Sequence, residues 1–180
     1  EYAQTSKSPT NKKWIFLKME TDEGIHGWGE VGSSVNVSEN FMATAIKEVA
    51  PQLIGENPMD TDRLWNKIFR MFSYMGSRGF TTSLTAGFDI ALWDIKGKVS
   101  GLPVYDLLGG RYRDPVRLYC NAWFNGCFTP EEYANAAKTN VLENGHTACK
   151  LDPFLEMTQY HTMYQDGFIS EEGEQLGYDI

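Results

Sequence analysis

The chain has 180 residues, 42% hydrophobic and 22% charged, with a formal net charge of −8. That balance is ordinary for a core-forming globular protein, and the acidity, with no Lys/Arg run, is the opposite of a nucleic-acid footprint. There is no stretch of about 18 apolar residues and no signal-peptide pattern at the start, so neither nucleic acid nor membrane is an expected partner and the cytoplasm is the expected location.

An acidic surface leaves room for an anionic small-molecule substrate, because a site can be locally positive inside an acidic protein. Three cysteines, Cys120, Cys127 and Cys149, are odd in number and lack CxxC spacing. They suit a reducing compartment and roles as buried small residues.

In chain order, EYAQTSKSPTN at 1–11 reads as a loop. Residues 13–21, KWIFLKMET, and 25–31, IHGWGEV, flank the turn signal DEG and predict a β-hairpin. The polar loop 32–38 leads to a helix from Glu39 to about Leu53, with Ser38 as N-cap and Gly55 as stop. A second helix after Asp60 carries Leu64, Trp65, Ile68, Phe69 and Phe72 on one stripe. A third, 83–100, places Leu84, Phe88, Ala91, Ile95 and Val99 at helical spacing and is nearly apolar all round, which predicts a buried helix. GLPVYDLLGG at 101–110 is a stop followed by a short helix.

The period then changes. Residues 116–122, VRLYCNA, predict a strand; TPEE at 129–132 opens a helix running to about Glu143; and 146–152 predict another strand. Strand, helix and strand within about 35 residues form a βαβ unit with parallel strands. Residues 1–110 therefore read as an α+β domain, and 111–180 as the opening of an α/β domain. Two strands and one crossover helix cannot cover both faces of a parallel sheet. Seventy residues, 111 to 180, also fall far short of the roughly 250 of a closed (β/α)₈ barrel. The chain is expected to be a piece of a longer polypeptide, its last stretch, SEEGEQLGYDI, a helix cut partway.

Two spacings suggest a site. In CKLDPF, 149–154, Lys150 and Asp152 stand two apart on a predicted strand and so share a face. Asn121 and Trp123 end the preceding strand with the same spacing. The loop PFLEMTQYHTMYQDGF, 153–168, is longer than the usual two to six or so residues of such connections, and its His161, Tyr160 and Tyr164 are candidates to line or cover a pocket. The plain alternatives are a strand-end ion pair for Lys150 and Asp152 and core packing for Asn121 and Trp123. His26 and His146 read as structural or exposed. No Gly-rich phosphate loop, GxSxG or HExxH occurs.

The most specific text is Asp89-Ile-Ala-Leu-Trp-Asp-Ile-Lys-Gly-Lys98 followed by VSGLPVYDLLGG. It resembles the signature of the mandelate racemase/muconate lactonizing branch of the enolase superfamily, as do the GIHGWGEV hairpin and VRLYCNAWFNG. Most of that signature is packing: Asp89, Asp94 and Lys98 suit structural hydrogen bonds or ion pairs better than catalysis, and Gly97 allows close backbone approach. The resemblance implies an amino-terminal α+β capping domain, residues 1–110, followed by the start of a (β/α) TIM-type barrel, 111–180, incomplete in this chain.

It further implies a homo-oligomeric enzyme in which Mg²⁺ holds a substrate carboxylate while a base removes the proton alpha to it. The three metal-binding carboxylates of such enzymes come from later barrel strands, so no metal ligand is expected within this chain and all lie beyond Ile180. Where some members carry K-x-K on the second barrel strand, this sequence has Lys150 and Asp152, which weighs against a lysine base. An adjacent carboxylate keeps the ammonium charged, so Lys150 suits binding of the substrate carboxylate or enediolate, and Asp152 suits holding Lys150 or a sugar hydroxyl. K-x-D-P is similar to the acid-sugar dehydratases of the branch, whose proton transfer often uses a histidine from a later strand. Asn121, Trp123 and His161 are the substrate-binding candidates, because barrel sites form at strand ends and the loops after them. Dehydration of a sugar acid to a 2-keto-3-deoxy acid is the leading expectation. A racemase, epimerase or cycloisomerase is the alternative, and an inactive fragment or non-catalytic binding module is the alternative of another class.

Overall fold

Thr21 closes the first hairpin. Its hydroxyl donates to Ile25 O at 2.9 Å and accepts from Ile25 N–H at 3.1 Å, while Gly24 takes the left-handed conformation (φ 80°) that the tight turn requires. The computed structural model describes residues 2–4, 14–32, 39–76, 78–151, 164–165, 168–169 and 171–180, in two compact units, Glu1–Tyr112 and Arg113–Ile180.

In the first unit, β1 (Tyr2–Gln4), β2 (Ile15–Glu20) and β3 (His26–Val31) form an antiparallel sheet in that order. The expected hairpin is β2–β3. The expected loop at 1–11 is corrected in part: residues 2–4 pair with Ile15–Leu17, taking up hydrogen-bonding groups that β2 would otherwise present as an edge. Helix α1 (Glu39–Val49) passes into a 3₁₀ turn at Ala50–Gln52 where Pro51 removes a donor. The proposed N-cap Ser38 lies outside the described residues. Helix α2 (Thr61–Met71) buries Leu64 and Ile68 and leaves Trp65 at the surface, stacked on Phe69. Helix α3 (Phe80–Ser100) starts three residues earlier than its pattern suggests, and α4 (Val104–Leu107) follows.

One core joins these elements: Ile15, Leu17 and Val31 from the sheet; Met42, Ile46 and Val49 from α1; Ile68 from α2; Leu84, Phe88 and Ala91 from α3. Burying each large apolar side chain contributes about 2 kcal/mol. Helix α3 is not buried all round as expected. Ile90 and Val99 are exposed, since the core covers only one face.

At β3 and α3 the two backbones approach closely. A Cβ on Gly29 would stand 1.8 Å from Gly87 O, and one on Gly27 would stand 2.1 Å from Ala91 O. The alternating glycines of β3 thus let the strand lie directly on α3. The two are also laced at the strand's outer edge. Trp28 N–H donates to Asp94 Oδ2 at 2.9 Å, and Lys98 Nζ donates to His26 O and to Asp94, both at 2.7 Å. Burial raises the Asp94 carboxyl, but Lys98 and the Trp28 N–H outweigh it and hold the group below the usual carboxylate range. Asp94 and Lys98 therefore occupy edge groups that would otherwise invite another strand. Gly97 passes close to the chain beyond α3, where an added Cβ would stand 2.9 Å from Leu102 O.

The second unit contains α5 (Pro130–Ala136), which continues as a π-helical segment (Ala137–Leu142), then β4 (Tyr164–Gln165), β5 (Phe168–Ile169) and α6 (Glu171–Asp179). A capping box starts α5: Thr129 Oγ1 accepts from Glu132 N–H at 3.3 Å, and the Glu132 carboxylate accepts from Phe128 and Thr129 N–H. Those N–H donors, Phe128 first, lower the Glu132 carboxyl. The expected parallel strands at 116–122 and 146–152 are corrected to one isolated parallel bridge, Cys120–Cys149. Ala122, at φ 55°, ends the extended run on one side, and such a short pair has no sheet around it to extend its ladder.

Candidate functional site

The bridge determines what faces where. Cys120 N–H donates to Ala148 O and Lys150 N–H to Cys120 O, each at 2.9 Å, which is parallel register. Arg117 reinforces it by donating to Thr147 Oγ1 at 3.1 Å and to Thr147 O. Cys120 packs on the cluster formed by Trp123, Phe124, Cys127, Tyr133 and Val141. That cluster lies under α5 and its continuation. The next residue along each strand turns the other way. Asn121 and Lys150 therefore stand side by side on the face turned away from α5, and both are exposed.

Trp123 does not join them. The left-handed Ala122 breaks the alternation that would have put Trp123 on Asn121's face, and Trp123 is only 8% exposed. Its ring meets Phe124 and Tyr133 edge-on at 5.3 and 6.2 Å. Its indole N–H donates to Lys150 O at 2.8 Å, and its own carbonyl accepts from Asn140 Nδ2 at 2.8 Å. Asn140 and Arg117 were not foreseen as contributors. A buried indole needs an acceptor, so Trp123 itself carried the one available signal. Asp152, His161 and Tyr160 lie outside the described residues, as does nearly all of the 153–168 loop; Tyr164 is in β4.

The signature residues behave as structural partners. Asp94 and Lys98 form the ion pair at the β3 edge. Asp89 is raised by burial and by Asp62, against a hydrogen bond from the Trp93 side chain. His26 is exposed and meets Trp28 edge-on at 6.4 Å. A cleft of about 560 Å³ in the first unit is lined in part by Lys18, Glu20, Leu53, Ile54 and Glu56, none of them a predicted site residue. Two of its carboxylates are already engaged, Glu20 by Lys18 and Glu56 by Lys67 and Arg63.

Among the described residues, no three His, Cys, Asp or Glu side chains are grouped so as to hold a metal ion. The described residues therefore do not make a metal site by themselves. No helix among them is long and apolar enough to cross a membrane.

Residues 3–109 match the family model for the mandelate racemase/muconate lactonizing enzyme N-terminal domain. The chain is 45% identical over 145 residues to a D-galactonate dehydratase of Variovorax paradoxus (strain S110), covering 81% of this chain and 36% of that protein. Among solved structures it is similar to a member of the enolase superfamily from Salmonella Typhimurium, with TM-score 0.81 and 33% identity over 93% of this chain and 45% of the other. It is also similar to a mandelate racemase/muconate lactonizing enzyme from Sulfitobacter sp., with TM-score 0.71 and 31% identity over 85% and 41%. The chain thus spans about a third of the length of the curated relative and under half of each solved one.

Proposed function

The chain belongs to the mandelate racemase/muconate lactonizing enzyme family, and on that premise we propose that the whole protein is a lyase that removes water from a sugar acid. Identity to D-galactonate dehydratases carries this reading and makes galactonate the first substrate to try. Residues 1–110 serve as the capping domain, and 111–180 supply the first strands and crossover helix of the barrel.

The chemistry is a β-elimination. A base takes the proton from C2, alpha to the carboxylate, and the electron pair left behind forms an enediolate. That pair then makes the C2=C3 bond as the C3–O bond breaks, and the departing hydroxide takes a proton and leaves as water. The resulting enol tautomerises to the 2-keto-3-deoxy acid. Within this chain Lys150 is the residue suited to the charged intermediate. Its ammonium holds a carboxylate oxygen whose negative charge grows as the enediolate forms, an interaction stronger in the transition state than in the ground state. Asn121 stands beside it as a donor or acceptor for a sugar hydroxyl, a pairing supported by the register at Cys120–Cys149. Asp152 is the candidate to keep Lys150 charged or take a hydroxyl, and His161 the candidate for a further substrate contact. Proton abstraction falls to a group beyond this chain. Mg²⁺, generally implied by family membership, has its ligands there too. The enzyme is also read as a cytoplasmic homo-oligomer acting on a small carboxylate.

The test is incubation of the whole protein, with Mg²⁺, against a panel of aldonic and aldaric acids, followed by assay for 2-keto acid. Turnover is expected on at least one acid, and Lys150→Met is expected to lower kcat/KM by about 100-fold or more. No 2-keto acid from any member sinks the dehydratase. A change in optical rotation without 2-keto acid would identify a racemase or epimerase instead.

A further inference from the structure

We infer that Trp123 is a positioning residue: it sets the place of Lys150 by holding that residue's backbone carbonyl, and it does not touch substrate. The inference rests on the reading of Lys150 given above and explains how its position is maintained. Among the described residues a single bridge pairs the two strands, so the segment bearing Lys150 lacks the ladder that would normally fix a strand end. Besides the bridge's own bond from Lys150 N–H to Cys120 O, two contacts take the ladder's place: the Trp123 indole reaches Lys150 O, and Asn140 Nδ2 reaches Trp123 O.

The chain runs from the π-helical segment, through a buried ring clamped among Phe124 and Tyr133, to the residue proposed to meet substrate. Both hydrogen-bonding groups of Lys150's own peptide backbone are thereby engaged. Ala122 adopts its left-handed conformation at the residue where the chain must turn to bring the indole back over the second strand. Local strain of this kind persists where surrounding contacts over-determine it. The indole N–H is already given to Lys150 O and the ring is buried, so the Trp123 side chain has no polar group left with which to bind a ligand.

Trp123→Phe keeps an aromatic ring in the cluster but removes the N–H together with part of the indole's volume, so a control amide in the same cluster is needed. In the whole protein, measured on the sugar acid that the wild type turns over, kcat is expected to fall roughly tenfold with KM changed by less than about twofold. A residue that merely filled space, or one that bound substrate, would not give that split. The second measurement needs no activity. Amide hydrogen exchange at Lys150 is expected to accelerate about tenfold in Trp123→Phe, while Tyr133 N–H, bonded to Thr129 O in the first turn of α5, keeps its wild-type rate. If no acid is turned over, the reading of function fails and exchange still decides the positioning. Unchanged exchange at Lys150 overturns the inference, and so does acceleration at Lys150 and Tyr133 alike, which would mean general loosening. An unchanged kcat, or a rise in KM alone, overturns it as well.

Discussion

Replacing Gly29 by alanine puts a methyl group where none fits. The new Cβ would stand 1.8 Å from Gly87 O, whereas ordinary contact begins near 3.4 Å, so β3 must lift off α3 by about 1.6 Å. Neither side can yield by rotating a side chain, because both are backbone. A shift of that size takes the Trp28–Asp94 bond from 2.9 Å and the Lys98–His26 bond from 2.7 Å out of hydrogen-bonding range. Hydrogen bonds to charged groups contribute about 1.5–3 kcal/mol each. Both bonds sit at the surface, so the lower figure applies, and their loss costs about 3 kcal/mol before any loss of packing around Val31. For a unit of this size that corresponds to a fall in Tm of roughly 15 °C. Thermal and urea unfolding of the wild type, Gly29→Ala and Gly32→Ala would measure it. Gly32→Ala is the control on the same segment, since its Cβ would meet only Ser83 Oγ at 3.9 Å. A Gly29→Ala protein melting within about 2 °C of both others would refute the backbone-contact account.

Two further outcomes are expected. Lys67 and Arg63 hold the Glu56 carboxyl down from its ordinary 4.5 to about 2. A depressed carboxylate stabilises the fold fully above its unfolded pKa and loses that contribution as pH falls through the folded one. Between pH 4.5 and 2, then, the wild type should lose Tm more steeply than Glu56→Gln, and the two curves should converge near pH 2; parallel curves would refute the ion-pair role. Asp94→Ala removes the acceptor that covers Trp28 N–H at the sheet edge and should cost about 1–2 kcal/mol. It should also promote concentration-dependent association, detectable by light scattering, whereas Asp94→Asn, which keeps an acceptor, should do less of both.

The capping unit was legible in the sequence because its signals are local. DEG between two alternating runs marks the β2–β3 hairpin, and Leu64 with Ile68 marks the buried stripe of α2. Asp94 and Lys98, read as structural, do form an ion pair. Less visible was anything needing knowledge of a distant partner. Tyr2–Gln4 sits in polar text, and only its pairing with β2 makes it a strand. The early start of α3 depends on Gly79, and the exposure of Ile90 on how much surface the core can cover. At the candidate site, two-residue spacing puts Asn121 and Trp123 on one face. It fails at Trp123, because a left-handed alanine leaves no mark in a sequence pattern. The family signature was the clearest text in the chain and lies in packing rather than chemistry.

The wide turns at Ala137–Leu142 amount to one surplus residue accommodated inside a helix. Everything after the surplus is rotated by about 100° relative to an uninterrupted α-helix. Straightening the segment would improve its own geometry and swing the Asn140 amide out of line with the peptide it now meets. The poorer helical repeat is therefore the condition for aim, and the irregularity at the back of the crossover governs what is presented at its front.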